Sequence, residues 1–178
     1  RLDDAIAELK KVLDKNDRNA MAHNAMGNAY LAKGLFDEGM AELNRAIDLD
    51  PGLVDAQTRK GAIDLSRGNQ KEAEKSLQAA IDAAPDVLNS RLMLAASYVR
   101  SKNYAKAIAL LNKGLKGDKT DALLYNFIAE AFLYDGKAAE AVKYLEKAKQ
   151  SDPGNHSAYF NLAAMYFMQG KQDQGIAE

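Results

Sequence analysis

The chain has no cysteine and no tryptophan, and only three prolines in 178 residues. Without cysteine it can form no disulfide, no thiolate nucleophile and no cysteine-ligated zinc site. No apolar run approaches the roughly 18 residues that a membrane-spanning helix needs, so direct membrane insertion by this segment is not expected. No basic stretch followed by an apolar one opens the chain, so no secretory signal is read here. The first residue is Arg1, and the natural start is expected upstream. The compartment therefore stays open: cytoplasmic, or periplasmic or outer-membrane-associated if a signal or lipobox precedes Arg1. Neither sign of charge is in excess, with 24 Lys plus Arg against 25 Asp plus Glu interleaved along the chain. A nucleic-acid binder that works by counterion release shows a basic excess or stripe, so none is expected. What remains is a chain 47% apolar and 28% charged, the balance of a folded domain.

The few chain breakers are placed with a period. Pro51, Pro85 and Pro153 are separated by 34 and 68 residues, and Gly34, Gly68, Gly136 and Gly170 repeat the same interval. Between these marks the apolar residues follow helical spacing: Ala22, Met26, Tyr30 and Leu31, then, past Gly34, Phe36, Met40, Leu43, Ala46 and Ile47. Each unit of 34 residues is thus expected to hold two helices of about fourteen residues joined by tight turns. Glycine suits the positive φ just past a helix end, and proline closes the unit because it cannot continue a helix interior. In the third unit Lys102-Asn103 stands in for the glycine turn, with Asn103 expected to take the left-handed conformation. Lys119 replaces the proline there, with Gly117 as the nearby breaker.

This pattern resembles the tetratricopeptide repeat, over the whole of residues 1–178 as a single array. Residues 20–53, 54–87, 88–121 and 122–155 read as full repeats, 1–19 as the second helix of a partial one and 156–178 as another partial repeat. The family's small and large positions are met by Gly27, Tyr30, Gly39, Leu43 and Ala46 in the first full repeat, and by Ala129, Phe132, Ala141, Leu145 and Ala148 in the fourth. In the partial first unit the matching residues are Ala5, Leu9 and Val12. The second repeat departs, with Gln57, Lys60 and Asp64 where the family prefers apolar residues, and is expected to be the weakest link. The resemblance implies an all-α, right-handed α-α superhelix of antiparallel helix pairs. Small residues should let partner helices approach to about 8–10 Å, which places Ala107 and Ala141 at buried hairpin contacts. Both ends stop inside a repeat, so the chain reads as a fragment of a longer array, capable of end-to-end self-association.

No constellation for chemistry emerges. His23 falls where the family usually has an aromatic, and a packed, hydrogen-bonded ring is the expected role. His156, beside Asn155 and Ser157, is expected at a helix start, where capping explains it. Asp3-Asp4 and Asp37-Glu38 are expected in first turns, where they complement the helix dipole. There is no phosphate-binding Gly-Lys-Ser/Thr loop and no Gly-x-Ser-x-Gly elbow. Catalysis, a cofactor and a bound metal are all unexpected.

In the family resembled, the first helix of each unit lines a concave groove that holds a peptide or helix of a partner protein. Carried onto this chain, the groove residues are Asn24, Asn28 and Leu31 in the first full repeat, Arg59 in the second, and Leu92, Val99 and Arg100 in the third. Asn126, Phe127, Glu130 and Tyr134 follow in the fourth, and Phe160 and Phe167 in the last. The groove thus turns from polar to apolar and aromatic along the chain. No lysine occupies these positions, and the Asn that the family's sugar-transferase arrays repeat occurs only at Asn161, so neither known mode is matched. The expected function is a non-catalytic interaction scaffold or adaptor. The Ala-rich texture resembles bacterial repeat proteins, including accessory lipoproteins or periplasmic components of secretion and exopolysaccharide export. A different role is the targeting arm of an enzyme whose catalytic domain lies outside the segment.

Overall fold

The computed structural model describes residues 1–177, and every regular element among them is an α-helix. In chain order they are α1 (Leu2–Lys15), α2 (Ala20–Ala32), α3 (Phe36–Leu49), α4 (Val54–Ser66), α5 (Gln70–Ala83), α6 (Leu88–Arg100), α7 (Tyr104–Asn112), α8 (Asp121–Tyr134), α9 (Ala138–Ser151), α10 (His156–Met168) and α11 (Gln172–Ala177). The chain divides into two compact units, Arg1–Ser90 and Arg91–Glu178.

In the first unit α2 packs against α3 and α4 against α5 as hairpins, with α1 on α2 and α3 on α4. The α2–α3 contact is backbone against backbone. A Cβ added at Gly27 would lie 3.0 Å from the Gly39 carbonyl oxygen, and one at Gly39 would lie 2.7 Å from Leu31 Cγ. Only glycine permits that approach, which seals Leu43 and Ala46 completely. The 34-residue period extends to the surface: Asp3 pairs with Lys33 at the end of α2, and Asp37 pairs with Arg67 at the end of α4 at 3.0 Å. On α1 the buried residue is Ile6, 7% exposed, whereas Ala5 is exposed and Val12 is 42% exposed. Ala5, Leu9 and Val12 stand 34 residues before Gly39, Leu43 and Ala46 of α3. But α1 packs on α2 through Ile6, Leu9 and Leu13 beneath Met26 and Tyr30, which leaves Ala5 and Val12 on its exposed side.

The second full repeat keeps its polar residues inside by pairing them. Gln57 donates from Nε2 to the Pro51 carbonyl at 3.0 Å, and Lys60 Nζ meets Asp64 Oδ2 at 2.6 Å. Asp64 is 4% exposed, so this pair substitutes for an apolar contact at a desolvation cost. His23 is buried, its Nδ1 2.6 Å from Glu42 Oε2 and its Nε2 2.9 Å from the Asp17 carbonyl. It ties α2 to α3 and to the loop before α2.

In the second unit α8 and α9 form a hairpin, and α10 packs on both. Ala129, Ala141, Leu145, Leu162 and Met165 make the buried cluster, with Phe132, Tyr144 and Tyr166 packed around it. Ala107 and Ala141 are 0% and 1% exposed. Asn155, not His156, caps α10, accepting from the Ala158 amide at 3.2 Å.

The third repeat departs from the expected helix length. Whereas α3, α5 and α9 have 14 residues each, α7 has 9 and stops at Asn112. The reason is Arg91, 3% exposed, whose Nη1 donates to the Leu110 carbonyl at 2.9 Å and whose side chain fills the space beside Gly114. Gly114 then bonds to Leu111 instead of Leu110, and the helical ladder ends. Burial lowers the pKa of the Arg91 guanidinium from its ordinary value. Beyond the break, Gly117 takes φ 81°, and the fully buried Asp121 carboxylate accepts the Lys116 and Gly117 amides at 2.8 and 2.7 Å.

The turn between α6 and α7 carries a second correction: Lys102 has φ 59°, and Asn103 has φ −95°. The position is fixed by its distance from the helix end, where the Asn103 amide returns to the Tyr98 carbonyl at 2.7 Å. Left-handed backbone costs a non-glycine residue about 1–2 kcal/mol, and glycine returns part of that gain as unfolded-chain entropy. Lys102→Gly is therefore expected to stabilise the protein by about 0.5–1 kcal/mol, read as a raised urea midpoint. A lowered midpoint would contradict the strain at this turn.

Candidate functional site

The inner surface of the second unit is built by the first helix of each hairpin. Positions 127, 130 and 134 fall on one face of α8 by helical spacing, and they carry Phe127, Glu130 and Tyr134. This row is a ridge between two depressions. One, of about 410 Å³, lies between α8 and α10, and its walls include Asn126, Leu133, Asn161, Ala164 and Met168. The other, of about 510 Å³, lies between α6 and α8 and is bounded by Ala96, Val99, Arg100, Lys102 and Tyr104. Both exist because alanine stands where bulk would fill them: Ala129, Ala141 and Ala164 in the first, Ala95 and Ala96 in the second. Tyr134 and Met168 are 60% and 74% exposed, and Phe127 is half-buried. Large apolar side chains thus meet solvent along a concave line, the usual form of a ligand site.

Polar groups are few. Asn126 donates to the Ala122 carbonyl at 2.9 Å, and its Oδ1 faces Asn161 Nδ2 at 3.5 Å. Glu130, Arg100 and Lys102 make no ion pair among the described residues. Glu130 is the single charged residue of the α8–α10 depression, while the α6–α8 depression adds the two cations.

Of the residues selected from sequence, Val99, Arg100, Asn126, Phe127, Glu130 and Tyr134 are brought together here. The others lie elsewhere. Leu92 is half-buried on α6. Phe167 covers Gly175, with ring atoms 3.0–3.1 Å from where a Cβ would be. Phe160, 78% exposed, borders a separate recess with Pro153, His156 and Tyr159. In the first unit Leu31 packs over Gly39 in the hydrophobic core. Asn24 and Asn28 there both donate to Asp55 Oδ2 at 2.9 Å, and Arg59 Nε reaches the same carboxylate at 3.1 Å. Burial pushes the Asp55 carboxyl up, but the amides of Asn28 and Asn24 and the Arg59 charge outweigh it, and its pKa lies below the ordinary value. These three groove candidates are thus engaged with one another's partner. Sequence reasoning missed Tyr104, Leu111, Ala141 and Leu145, which belong to second helices and line the depressions, and also Lys102 and Met165. The only signal for Leu111, Ala141 and Leu145 was the small residue facing each one on the first helix.

Among the described residues no group of three His, Asp or Glu could hold a metal ion, and no helix is long and apolar enough to cross a membrane.

Comparison with known proteins places this geometry. Profiles described as tetratricopeptide repeat match residues 64–131 and, separately, residues 1–54 and 128–178. No curated protein matches. Among solved structures, the C-terminal part of a tetratricopeptide repeat-containing protein from Cytophaga hutchinsonii is 18% identical, with a TM-score of 0.79 over 98% of this chain and 70% of that one. YrrB, described as a TPR protein with an unusual peptide-binding site, is 18% identical, with a TM-score of 0.70 over 95% and 87%. MamA is 25% identical, with a TM-score of 0.71 over 85% and 83%. With profiles that span more than half of its length and helical hairpins at the family's period, the chain belongs to the tetratricopeptide repeat family, whose members act generally as non-catalytic protein–protein interaction modules.

Proposed function

We propose that this chain is a non-catalytic scaffold that holds a peptide or helix of a partner protein along α6, α8 and α10. The observation that supports this reading is the ridge of half-buried Phe127 and exposed Tyr134 between two depressions walled largely by apolar side chains. Burying such side chains is worth roughly 1.5–3 kcal/mol each. Micromolar binding, about 8 kcal/mol net of ordering and association costs, therefore requires further contacts along both depressions. The likeness to YrrB, a protein described as having a peptide-binding site, is consistent with this use of the fold.

The test starts from peptides selected by display on the purified chain. Phe127→Ala combined with Tyr134→Ala is expected to weaken their binding at least about tenfold, the equivalent of 1.4 kcal/mol, while far-UV circular dichroism stays unchanged. Lys143→Ala, on the exposed side of α9, should leave binding alone. Selected peptides that bind the double variant as well as the wild type would move the site off this face.

A further inference from the structure

Resting on that reading, we infer that the ligand presents a lysine or arginine between apolar side chains, with its cation seated on Glu130 in the α8–α10 depression. Three observations carry this. First, Glu130 is exposed and without an ion-pair partner, at the midpoint of the Phe127–Glu130–Tyr134 ridge. Second, the rest of that depression is uncharged, with Phe127, Leu133, Met165 and Met168 for walls. A long aliphatic stem can lie against these while its charged head reaches the carboxylate, and Tyr134 offers a ring face to the same cation. Third, Arg100 and Lys102 stand only at the other depression. They repel a basic residue from the α6 side and so direct it to the α10 side of Glu130. An acidic ligand residue in the α8–α10 depression would meet the lone carboxylate with nothing to offset it. The field of this surface therefore discriminates by sign, which is the usual contribution of charge at an interface.

The experiment uses the full chain and pools of acetylated, amidated nonapeptides with Leu and Phe flanking a fixed central residue: Lys, Arg, norleucine or Glu. Fluorescence anisotropy should rank the Lys and Arg pools about three- to tenfold tighter than norleucine, with Glu weakest, and the gap should narrow as salt rises. Glu130→Gln should remove the preference for Lys over norleucine but keep norleucine binding, and Glu130→Lys should favour the Glu pool. Norleucine or Glu pools that bind wild type as tightly as Lys would overturn the charge assignment and leave the groove reading standing. Binding of every pool that is indifferent to Phe127→Ala, or no binding at millimolar peptide, would overturn the groove reading and this inference with it. A dimer broken by Phe127→Ala would put a second copy in the groove and overturn it as well.

Discussion

Leu77→Ala is expected to destabilise the first unit by about 2–5 kcal/mol, and the sign of a second substitution, Gly61→Ala, should depend on it. Leu77 is 0% exposed and lies against α4 where Gly61 leaves room. A Cβ built on Gly61 falls 2.6 Å from Leu77 Cγ and 2.8 Å from its Cδ2, while the nearest backbone atom, the Ala73 carbonyl oxygen, is 3.5 Å away. The obstacle is thus one side chain rather than the main chain of α5. In the wild type, Gly61→Ala overpacks this contact and should cost about 1–3 kcal/mol. With alanine at 77 the same methyl enters vacated space, and alanine's helix propensity favours it by up to about 1 kcal/mol. The two changes should therefore be strongly non-additive in urea unfolding followed by circular dichroism. If Gly61→Ala destabilises both backgrounds equally, the helices do not meet as described.

Asp121→Ala should cost about 2–4 kcal/mol, although the residue touches no ligand. Its carboxylate is 1% exposed and holds the Lys116 and Gly117 amides, the two donors that organise the loop where α7 has ended early. Hydrogen bonds to a charged group are worth roughly 1.5–3 kcal/mol each, and truncation leaves donors to be rescued only by water. The carboxylate also sits in the first turn of α8, where the helix dipole favours negative charge. Asp121→Asn keeps one acceptor oxygen and should fall between the two. Amide hydrogen exchange at residues 116 and 117 should accelerate in both variants. A stability change below about 0.5 kcal/mol in Asp121→Ala would show that the loop is held by other contacts.

The repeat, the helix pairs and the alanine contacts were legible because they depend on local and periodic terms. The prolines at 51, 85 and 153 and the glycines at 34, 68, 136 and 170 mark helix ends, and the small residues that recur at one register inside the helices serve close packing. The polar residues of the second repeat show where that reasoning stops. Gln57 and Asp64 look misplaced in a list of apolar positions, yet each finds a local partner, the Pro51 carbonyl and Lys60 one helical turn away. What such a list does not show is that Gln57 and Asp64 are buried. Arg91 is the sharper case. As a letter it is a polar exception at one position. In the fold its guanidinium takes the Leu110 carbonyl and shortens α7.

The candidate site divides along the same line. The sequence by itself, through its resemblance to the repeat family, named the groove-facing positions of each first helix, Phe127, Glu130 and Tyr134 among them. It could not separate side chains that stand free from those already spent on neighbours. Leu31 covers Gly39 on the facing helix, and Asn24 and Asn28 are bound to Asp55. Whether an inward residue is available to a ligand depends on the volume and charge of residues one helix or one repeat away. Those distances exist only after the hairpins have packed, which is why tertiary structure alone decided that the open apolar surface lies along α8.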